Sequence, residues 1–294
     1  LTMVDEKAGR AKVIETCSAR GPAEWDLVNR RRTGGVIDRV EIEGNTLMMD
    51  AHMGEKELNF GPVSAKLGGQ GLQMLKVEGD TVRTTWLGIA GAGVGIGSCL
   101  PQAPGVLRTE YPDDFKIGGG YTSRVDIITP KLVRVVIGVD DTDTKEKGAT
   151  WAAALKVARG CPYGRFIDHK IIQLNPKSPT KTTNCVATGI AFAVEEKDVP
   201  QLIEYCRDEL RKFCYSPDGV MVVFEGLEVP KVLRDFGWSA KSVMYTKEEA
   251  AKVAAEAGLQ VISLTGEAGM IGAVAAVGCF DLGPEAAGVP EDHV

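Results

Sequence analysis

The sequence predicts an α+β fold in which a β-rich N-terminal domain precedes a mixed-sheet domain. Two observations carry this prediction. Up to about residue 130, short alternating segments are separated by glycine-containing turns, whereas from Lys131 onward apolar strands alternate with amphipathic helices. The composition, with 44% hydrophobic and 25% charged residues, is that of a globular protein. A length of 294 residues accommodates about two domains.

The N-terminal part is predicted to contain a short helix at 23–32 and four strands. The strands are expected at 35–43, 46–50, 73–78 and 81–87, with hairpin turns at 43–45 and 78–80, where Gly44 and Gly79 are central. The glycine-rich residues 91–98 form either an anion-binding turn of backbone N–H groups or a closely packed turn. Residues 112–120 are expected to be a loop or linker.

The C-terminal part is predicted to alternate strands with helices. The strands are expected at 133–139, 166–174, 186–195, 219–225 and 259–264, and the helices at 148–159, 199–214, 230–236 and 246–257. Asp198 is a candidate N-cap, and Thr246 with Glu249 forms a capping box. The continuously apolar run that ends at Val139 is typical of a buried parallel strand. The polar residues after Gly283 are expected to be a frayed tail.

Three aspartates, Asp140, Asp141 and Asp143, directly follow that apolar strand. Clustered carboxylates repel one another unless a cation shares them, and Mg²⁺ prefers oxygen ligands. A helix begins nearby, at Gly148 to Thr150, and helix N-termini bind phosphate. These residues therefore predict a nucleotide and Mg²⁺ site. The same residues also suit an ordinary turn or helix N-cap, so that alternative stays open. The chain contains no P-loop pattern.

Two further segments are candidates for phosphate contacts. The loop at 173–184 contains two prolines and two lysines, and Lys181 would supply a compact positive charge; a solvated turn is the alternative. The glycine-rich residues 266–272 lie between a predicted strand and a predicted helix. The run Arg30-Arg31-Arg32 is either a solvated helix end or a phosphate contact.

Composition also excludes several classes of function. The net charge of −6 argues against a large basic nucleic-acid surface, although it leaves a nucleic-acid partner open. Only three histidines are present, without a His-x3-His pair, which argues against a histidine metal centre. Seven cysteines without a Cys-x-x-Cys pair argue against a disulfide framework or thiolate zinc site, and for a reducing cytoplasm. No apolar run reaches the roughly 20 residues needed to span a bilayer.

Five blocks of this sequence resemble, in the same order, blocks of archaeal agmatidine synthases, which modify an isoleucine tRNA. The blocks are Ile-Gly-Val-Asp-Asp-Thr-Asp at 137–143, the loop at 174–182, and residues 229–237, 246–257 and 266–278. Residues 133–280 therefore resemble the kinase-like and ferredoxin-like domains of that family. The resemblance implies ATP and Mg²⁺ as cofactors. It also implies a nucleotide-binding domain at 131–215, a ferredoxin-like element at 216–283 and a tail at 284–294, preceded by a β-rich domain at 1–130.

The resemblance also implies roles for individual residues. Asp140, Asp141 and Asp143 would bind the metal. Thr150 falls at or next to the threonine that agmatidine synthases phosphorylate, so the implied catalytic residues are Asp141, Thr150 and Lys181. The implied nucleotide-contacting residues are Gly148, Asn175, Lys181, Thr182, Gly266 and Gly269.

The arrangement of the whole chain resembles methanogenesis marker protein 11, a family of methane-metabolising archaea. This chain has about 130 residues before the shared blocks. It lacks the pairs of cysteines that bind zinc in the zinc ribbon of agmatidine synthases. The expected function is an ATP- and Mg²⁺-dependent phosphoryl or nucleotidyl transferase acting on a protein, cofactor or RNA. The alternative is an ATP-gated assembly factor, with a protein of methane metabolism such as methyl-coenzyme M reductase as its partner. A haloacid-dehalogenase site at Asp141 and Asp143 is disfavoured, because Lys145 stands where that motif has Thr or Val.

Overall fold

The computed structural model describes residues 1–60, 68–89, 103–115 and 121–291 of the chain. The chain divides into two compact units, Leu1–Leu132 and Val133–Val294. Both contain antiparallel sheets and helices, so the predicted α+β fold is confirmed. The glycine-rich residues 91–98 and the end of the expected linker, 116–120, lie outside the described residues.

The first unit consists of one helix and two antiparallel sheets in its described part. The helix is α1, Arg20–Thr33. The strands are β1 Thr2–Asp5, β2 Arg10–Thr16, β3 Ile37–Glu43, β4 Thr46–His52, β5 Gly54–Glu55, β6 Gly69–Glu78, β7 Thr81–Ile89, β8 Arg108–Glu110 and β9 Thr122–Pro130. The sheet orders are β1-β2-β4-β3 and β5-β6-β7-β9-β8. Both predicted hairpin turns are confirmed, and Gly44 and Gly79 adopt positive φ angles of 59° and 61° there.

The arginine run of α1 contributes to the interior of the first unit. The Arg30 side chain is fully buried, pairs with Glu15 at 2.6 Å and lies 4.8 Å from the ring centroid of Trp86. Arg31 donates to the Val40 carbonyl oxygen at 2.8 Å, and Arg32 donates to Asn29. For Arg30, neither a solvated helix end nor a phosphate contact is correct, because its guanidinium is enclosed by the core.

The second unit contains a five-stranded antiparallel sheet covered by helices. Its strands are β10 Val133–Asp140, β11 Arg165–Gln173, β12 Val186–Val194, β13 Val220–Glu225 and β14 Gln260–Ser263, in the order β11-β12-β10-β13-β14. Its helices are α2 Thr150–Gly160, α3 Val199–Lys212, α4 Lys231–Ser239, α5 Lys247–Glu256 and α6 Met270–Gly278. Strands from both sides of the boundary expected near residue 215 lie in this one sheet.

The central strand β10 is antiparallel to both of its neighbours, β12 and β13. The expected parallel strand is therefore wrong. Its apolar run has another cause, namely that both faces of the strand are covered. Val135, Ile137 and Val139 pack into the cluster that includes α2 and α3, whereas Val136 packs into the cluster that includes α4 and α6. A strand buried on both faces is apolar throughout, whatever the direction of its partners.

The two predicted helix caps have different outcomes. The capping box is confirmed, since Thr246 and Glu249 exchange both expected hydrogen bonds. Asp198 occupies the N-cap position of α3 but makes no capping bond. Its backbone is already helical, with φ −97° and ψ −2°, because a 3-10 turn precedes the helix. A capping side chain needs the extended backbone that Thr246 has.

The tail expected after Gly283 is partly ordered by a buried lysine. Gly283–Ala287 forms a 3-10 turn in which Ala286 is buried. The Lys241 ammonium donates to the carbonyl oxygens of Ala286 and Gly288, both at 2.7 Å, and to that of Gln173 at 3.1 Å. It thereby joins this turn to the end of β11. In the described part of the chain, no helix has the length and apolar character needed to cross a membrane.

Candidate functional site

Asp140 ends β10 and is enclosed by helix α6. A Cβ atom at Gly272 would lie 1.7 Å from Asp140 Oδ2, and one at Gly138 would lie 2.1 Å from the Ala273 carbonyl oxygen. Helix and strand therefore approach more closely than side chains would permit. Burial raises the pKa of Asp140 well above its usual range, and the negative charge of Asp141 raises it further.

Asp141 leaves the strand with a left-handed backbone, at φ 54°. Asp and Asn adopt this conformation more readily than other non-glycine residues, so the position suits its residue type. The pKa of Asp141 is raised to about 6, first by burial and then by the charges of Asp218 and Asp143. A group of carboxylates thus faces the end of β10, and their mutual repulsion favours a bound proton or cation.

Asp143 joins two segments that the sequence analysis singled out. Its carboxylate accepts a hydrogen bond from the Thr150 backbone N–H and another from the Thr182 hydroxyl, each at 3.3 Å. The Thr150 hydroxyl is buried and accepts from the Thr142 backbone N–H at 3.2 Å. Helix α2 and the loop that carries Lys181 therefore meet at Asp143.

A cleft of about 200 Å3 lies beside these residues. Gly148 lies in its wall with φ +92°, where a Cβ would come within 2.8 Å of the Tyr215 ring. Pockets for drug-sized ligands usually measure about 300–1,000 Å3, so this cleft is large enough for part of a nucleotide only. Its wall is formed by residues 143–151 and 182–186.

The loop at 173–184 is anchored at its base by Asn175 and exposed to solvent at Lys181. Asn175 is buried, donates to the Ser242 carbonyl oxygen at 2.9 Å and accepts from the Lys177 N–H at 3.0 Å. Its amide group is therefore engaged within the protein and fixes the base of the loop. Lys181 is exposed, and its ammonium donates to the Pro176 carbonyl oxygen.

Gly266 and Gly269 are close-packed against the neighbouring strand ends. A Cβ at Gly266 would lie 2.1 Å from the Pro217 carbonyl oxygen, and one at Gly269 would lie 2.8 Å from that of Asp140. The Gly269 N–H donates to the Asp218 carbonyl oxygen at 3.0 Å, and the Gly266 N–H faces that of Gly219 at 3.5 Å. The structure thus gives both glycines a packing role, and a phosphate would have to replace these bonds.

The carboxylates at the end of β10 can supply only some of the ligands that a metal ion requires. Among the described residues, no three His, Cys, Asp or Glu side chains are arranged so that they could hold one ion. Asp140, Asp141 and Asp143 therefore do not form a three-ligand cage in this structure. Mg²⁺ in nucleotide sites is commonly held by one or two carboxylates, with phosphate oxygens and water completing its shell. The two interacting carboxylates of Asp141 and Asp143 fit that smaller requirement.

Two residues at this site were missed by the sequence analysis. Asp218 precedes β13, and it approaches Asp141 because the start of β13 pairs with the end of β10, with Asp140 opposite Val220. Cys185 lines the cleft and adopts a φ of 55°, which is unusual for a residue other than glycine. Burial raises the pKa of the Cys185 thiol, as do the nearby charges of Asp140 and Asp141. The sequence around Asp218, Ser-Pro-Asp-Gly, indicates only a turn.

Comparison with known proteins identifies the family to which this chain belongs. Over 281 residues, the chain is 34% identical to the uncharacterized protein MJ0921 of Methanocaldococcus jannaschii, and the match covers 95% of this chain and 92% of that protein. The chain belongs to the MJ0921 family. Residues 136–266 also match the family model described as the TiaS TCKD domain. The expected resemblance to agmatidine synthases is thus confirmed for this segment.

The MJ0921-family chain matches TiaS proteins only in part. It is 31% identical over 147 residues to the tRNA 2-agmatinylcytidine synthetase TiaS of Pyrococcus horikoshii, covering 48% of this chain but 35% of that protein. The chain thus spans about a third of the length of that relative. A crystal structure of a complex of TiaS with its tRNA and ATP aligns with a TM-score of 0.46 and 26% identity, over 50% of this chain and 36% of that one.

Proposed function

We propose that this protein is an ATP- and Mg²⁺-dependent phosphoryl or nucleotidyl transferase whose site lies at the end of β10. The observation that carries the proposal is the contact of Asp143 with Thr182 in the wall of one cleft, with the charge of Asp143 also acting on Asp141, within the segment that matches the TiaS TCKD domain. The name of TiaS describes a synthetase that acts on tRNA, and one crystal structure of TiaS is a complex with ATP.

Asp141 and Asp143 are the proposed metal-binding residues, with Asp140 and Asp218 adding negative charge around them. Mg²⁺ bound there would neutralise charge on the phosphates of the nucleotide. Thr150 and Thr182 hold the Asp143 carboxylate through their hydrogen bonds. Lys181 supplies a positive charge at the exposed tip of the loop.

The remaining candidate residues are proposed to act mainly through position. Gly148 allows the turn that leads into α2, and Asn175 fixes the base of the Lys181 loop. Gly266 and Gly269 allow α6 to pack directly behind the aspartates. Thr150 is a candidate phosphate acceptor only if its hydroxyl leaves the bond with Thr142, since it is 4% exposed.

The acceptor is proposed to be a protein, a cofactor or an RNA. The part of TiaS beyond the shared third is not matched by this chain, so tRNA is one acceptor among these. We further propose a role in methanogenic archaea, as a member of the methanogenesis marker protein 11 family. The support is the long match to a protein of Methanocaldococcus jannaschii.

The test uses ATP labelled separately at the α and γ positions, incubated with the purified protein and Mg²⁺. Release of labelled ADP or AMP, or label on the protein, is expected for the wild type. Asp141→Asn is expected to abolish ATP turnover and labelling, because it removes the charge proposed to bind the metal. The variant is expected to fold, because Asn tolerates the left-handed backbone at this position. Asp235→Asn is the control, since Asp235 is exposed and pairs with Lys231 on α4. Equal turnover by Asp141→Asn and the wild type would refute the proposal.

The second candidate function is an ATP-gated assembly factor for methyl-coenzyme M reductase. The observation that favours it is the separate unit Leu1–Leu132, which MJ0921 shares but which lies outside the TiaS TCKD match. The full chain would be used to capture partners from a methanogen lysate with and without ATP. Enrichment of the reductase that depends on ATP, without ATP turnover, would favour this function over the transferase.

A further inference from the structure

Trp151 is a large aromatic residue at the cleft that none of the roles above uses. It is the second residue of α2, directly after Thr150, and it lines the cleft while remaining 42% exposed. Most of the other helix residues on either side of it are small, in the sequence Thr-Trp-Ala-Ala-Ala. Trp25 and Trp238 are similarly exposed, so what distinguishes Trp151 is its place in the wall of the cleft.

The ring of Trp151 has an aromatic neighbour, His169. Its centroid lies 6.4 Å from that of His169, and the two ring planes are inclined by 43°. His169 Nε2 is in turn 2.9 Å from the hydroxyl oxygen of Thr188, which is completely buried. Burial lowers the pKa of His169, which disfavours a positive charge on the imidazole beside the indole. The indole therefore lies beside a ring that is itself hydrogen-bonded to a buried side chain.

The surroundings of the ring indicate what it would bind. On one side of the cleft are the carboxylate of Asp143 and the loop with Thr182, where the metal and phosphates are proposed to lie. The cleft of about 200 Å3 holds part of a nucleotide only, so with the phosphates beside Asp143 the base would extend toward its rim. A flat, exposed and uncharged π surface at that rim matches the face of a nucleobase.

We infer that Trp151 stacks on the base of the bound nucleoside triphosphate and contributes base-dependent affinity. This inference rests on the proposed function, because it assumes that the phosphates bind beside Asp143. Stacking does not distinguish strongly among bases, so Trp151 favours a nucleotide over a base-free triphosphate.

The test measures binding of two probes by calorimetry in the presence of Mg²⁺: ATP, and inorganic tripolyphosphate, which lacks a base. Trp151→Ala is expected to weaken ATP binding about tenfold or more, as is typical for loss of one base stack. Its affinity for tripolyphosphate is expected to remain that of the wild type, which also shows that the site is folded. Trp151→Phe is expected to retain most of the ATP affinity. Trp238→Ala is the matched control, because Trp238 is 41% exposed but lies on α4.

Three results would overturn the inference, and they are distinguishable from one another. Unchanged ATP affinity in Trp151→Ala would show that the indole does not contact the base. An equal loss for ATP and tripolyphosphate would show that Trp151 maintains the cleft rather than binding the base. Failure of the wild type to bind either probe would refute the proposed function, and this inference with it.

Discussion

The Thr182 hydroxyl donates a hydrogen bond to Asp143 Oδ1 at 3.3 Å, across a separation of 39 residues. This bond connects the turn after β10 with the loop that carries Lys181. The other oxygen of the same carboxylate accepts from the Thr150 N–H. A single carboxylate therefore links helix α2 to the Lys181 loop.

Thr182→Val is expected to lower ATP turnover about tenfold, since hydrogen bonds to charged groups contribute about 1.5–3 kcal/mol. Thr182→Ser keeps the hydroxyl and is expected to stay near the wild type. Steady-state turnover of labelled ATP provides the measurement. Thr180→Val in the same loop is the control, because Thr180 bonds only to Ser178 among the described contacts. ATP turnover by the Thr182→Val protein equal to that of the Thr180→Val protein would mean that this bond does not position the proposed site.

Gly272→Ala is expected to destabilise the protein although Gly272 lies within α6. In an exposed helix interior, the change from Gly to Ala stabilises by up to about 1 kcal/mol. Here the new methyl group would lie 1.7 Å from Asp140 Oδ2, and overpacking of this kind costs about 1–3 kcal/mol. Urea unfolding measures the change. Gly21→Ala in α1 is the control, because nothing lies within 4 Å of a Cβ there. Stabilisation by Gly272→Ala would mean that Asp140 moves away freely.

Lys241→Met is expected to lower the free energy of unfolding by about 3 kcal/mol, because three carbonyl oxygens lose a charged donor in a buried site. Hydrogen exchange is expected to increase first in the turn Gly283–Ala287. Lys231→Met is the control, since Lys231 is 77% exposed and its pair with Asp235 contributes about 0.5 kcal/mol or less. A similar small effect from both variants would show that water replaces the Lys241 ammonium.

The first unit is expected to lose stability as the pH rises from about 4 to about 6. Burial raises the pKa of Asp26 from 3.8 to about 6, although Arg30 acts in the opposite direction. Because the folded pKa exceeds the unfolded one, the folded state binds the additional proton in this range, and stability rises as the pH falls. Asp26→Asn is expected to remove this part of the pH dependence. Urea unfolding of both proteins between about pH 4 and pH 7.5 provides the comparison, and identical slopes would contradict the assignment.

The sequence predicted local features well because they depend on neighbouring residues. The capping box at Thr246 and the turns at Gly44 and Gly79 follow from short-range rules. The sequence did not predict that β10 is antiparallel to its neighbours. An apolar run indicates that both faces of a strand are buried, but not whether the adjacent strands run parallel or antiparallel to it. For the same reason Asp218 was missed, because its place beside Asp141 depends on the pairing of β13 with β10.

The structure brings three of the residues singled out in the sequence, Asp143, Thr150 and Thr182, into contact. The sequence did not indicate which of these polar groups already have hydrogen-bond partners within the protein. The amide of Asn175 could hydrogen-bond to a ligand, but in the structure it donates to the Ser242 carbonyl oxygen and accepts from the Lys177 N–H. The glycines at 266 and 269 resemble a phosphate-binding turn, but the approach of neighbouring backbone already requires them.

Strand β10 contributes alternate residues to two hydrophobic clusters, one on each side of the sheet. Loss of either helix layer would expose one apolar face of β10 to water and so destabilise the strand that supports the other layer. The second unit is therefore expected to melt cooperatively, as a single step. A substitution that weakens the packing of α3 would then lower the free energy of unfolding of the whole unit, including the strand end that carries the aspartates.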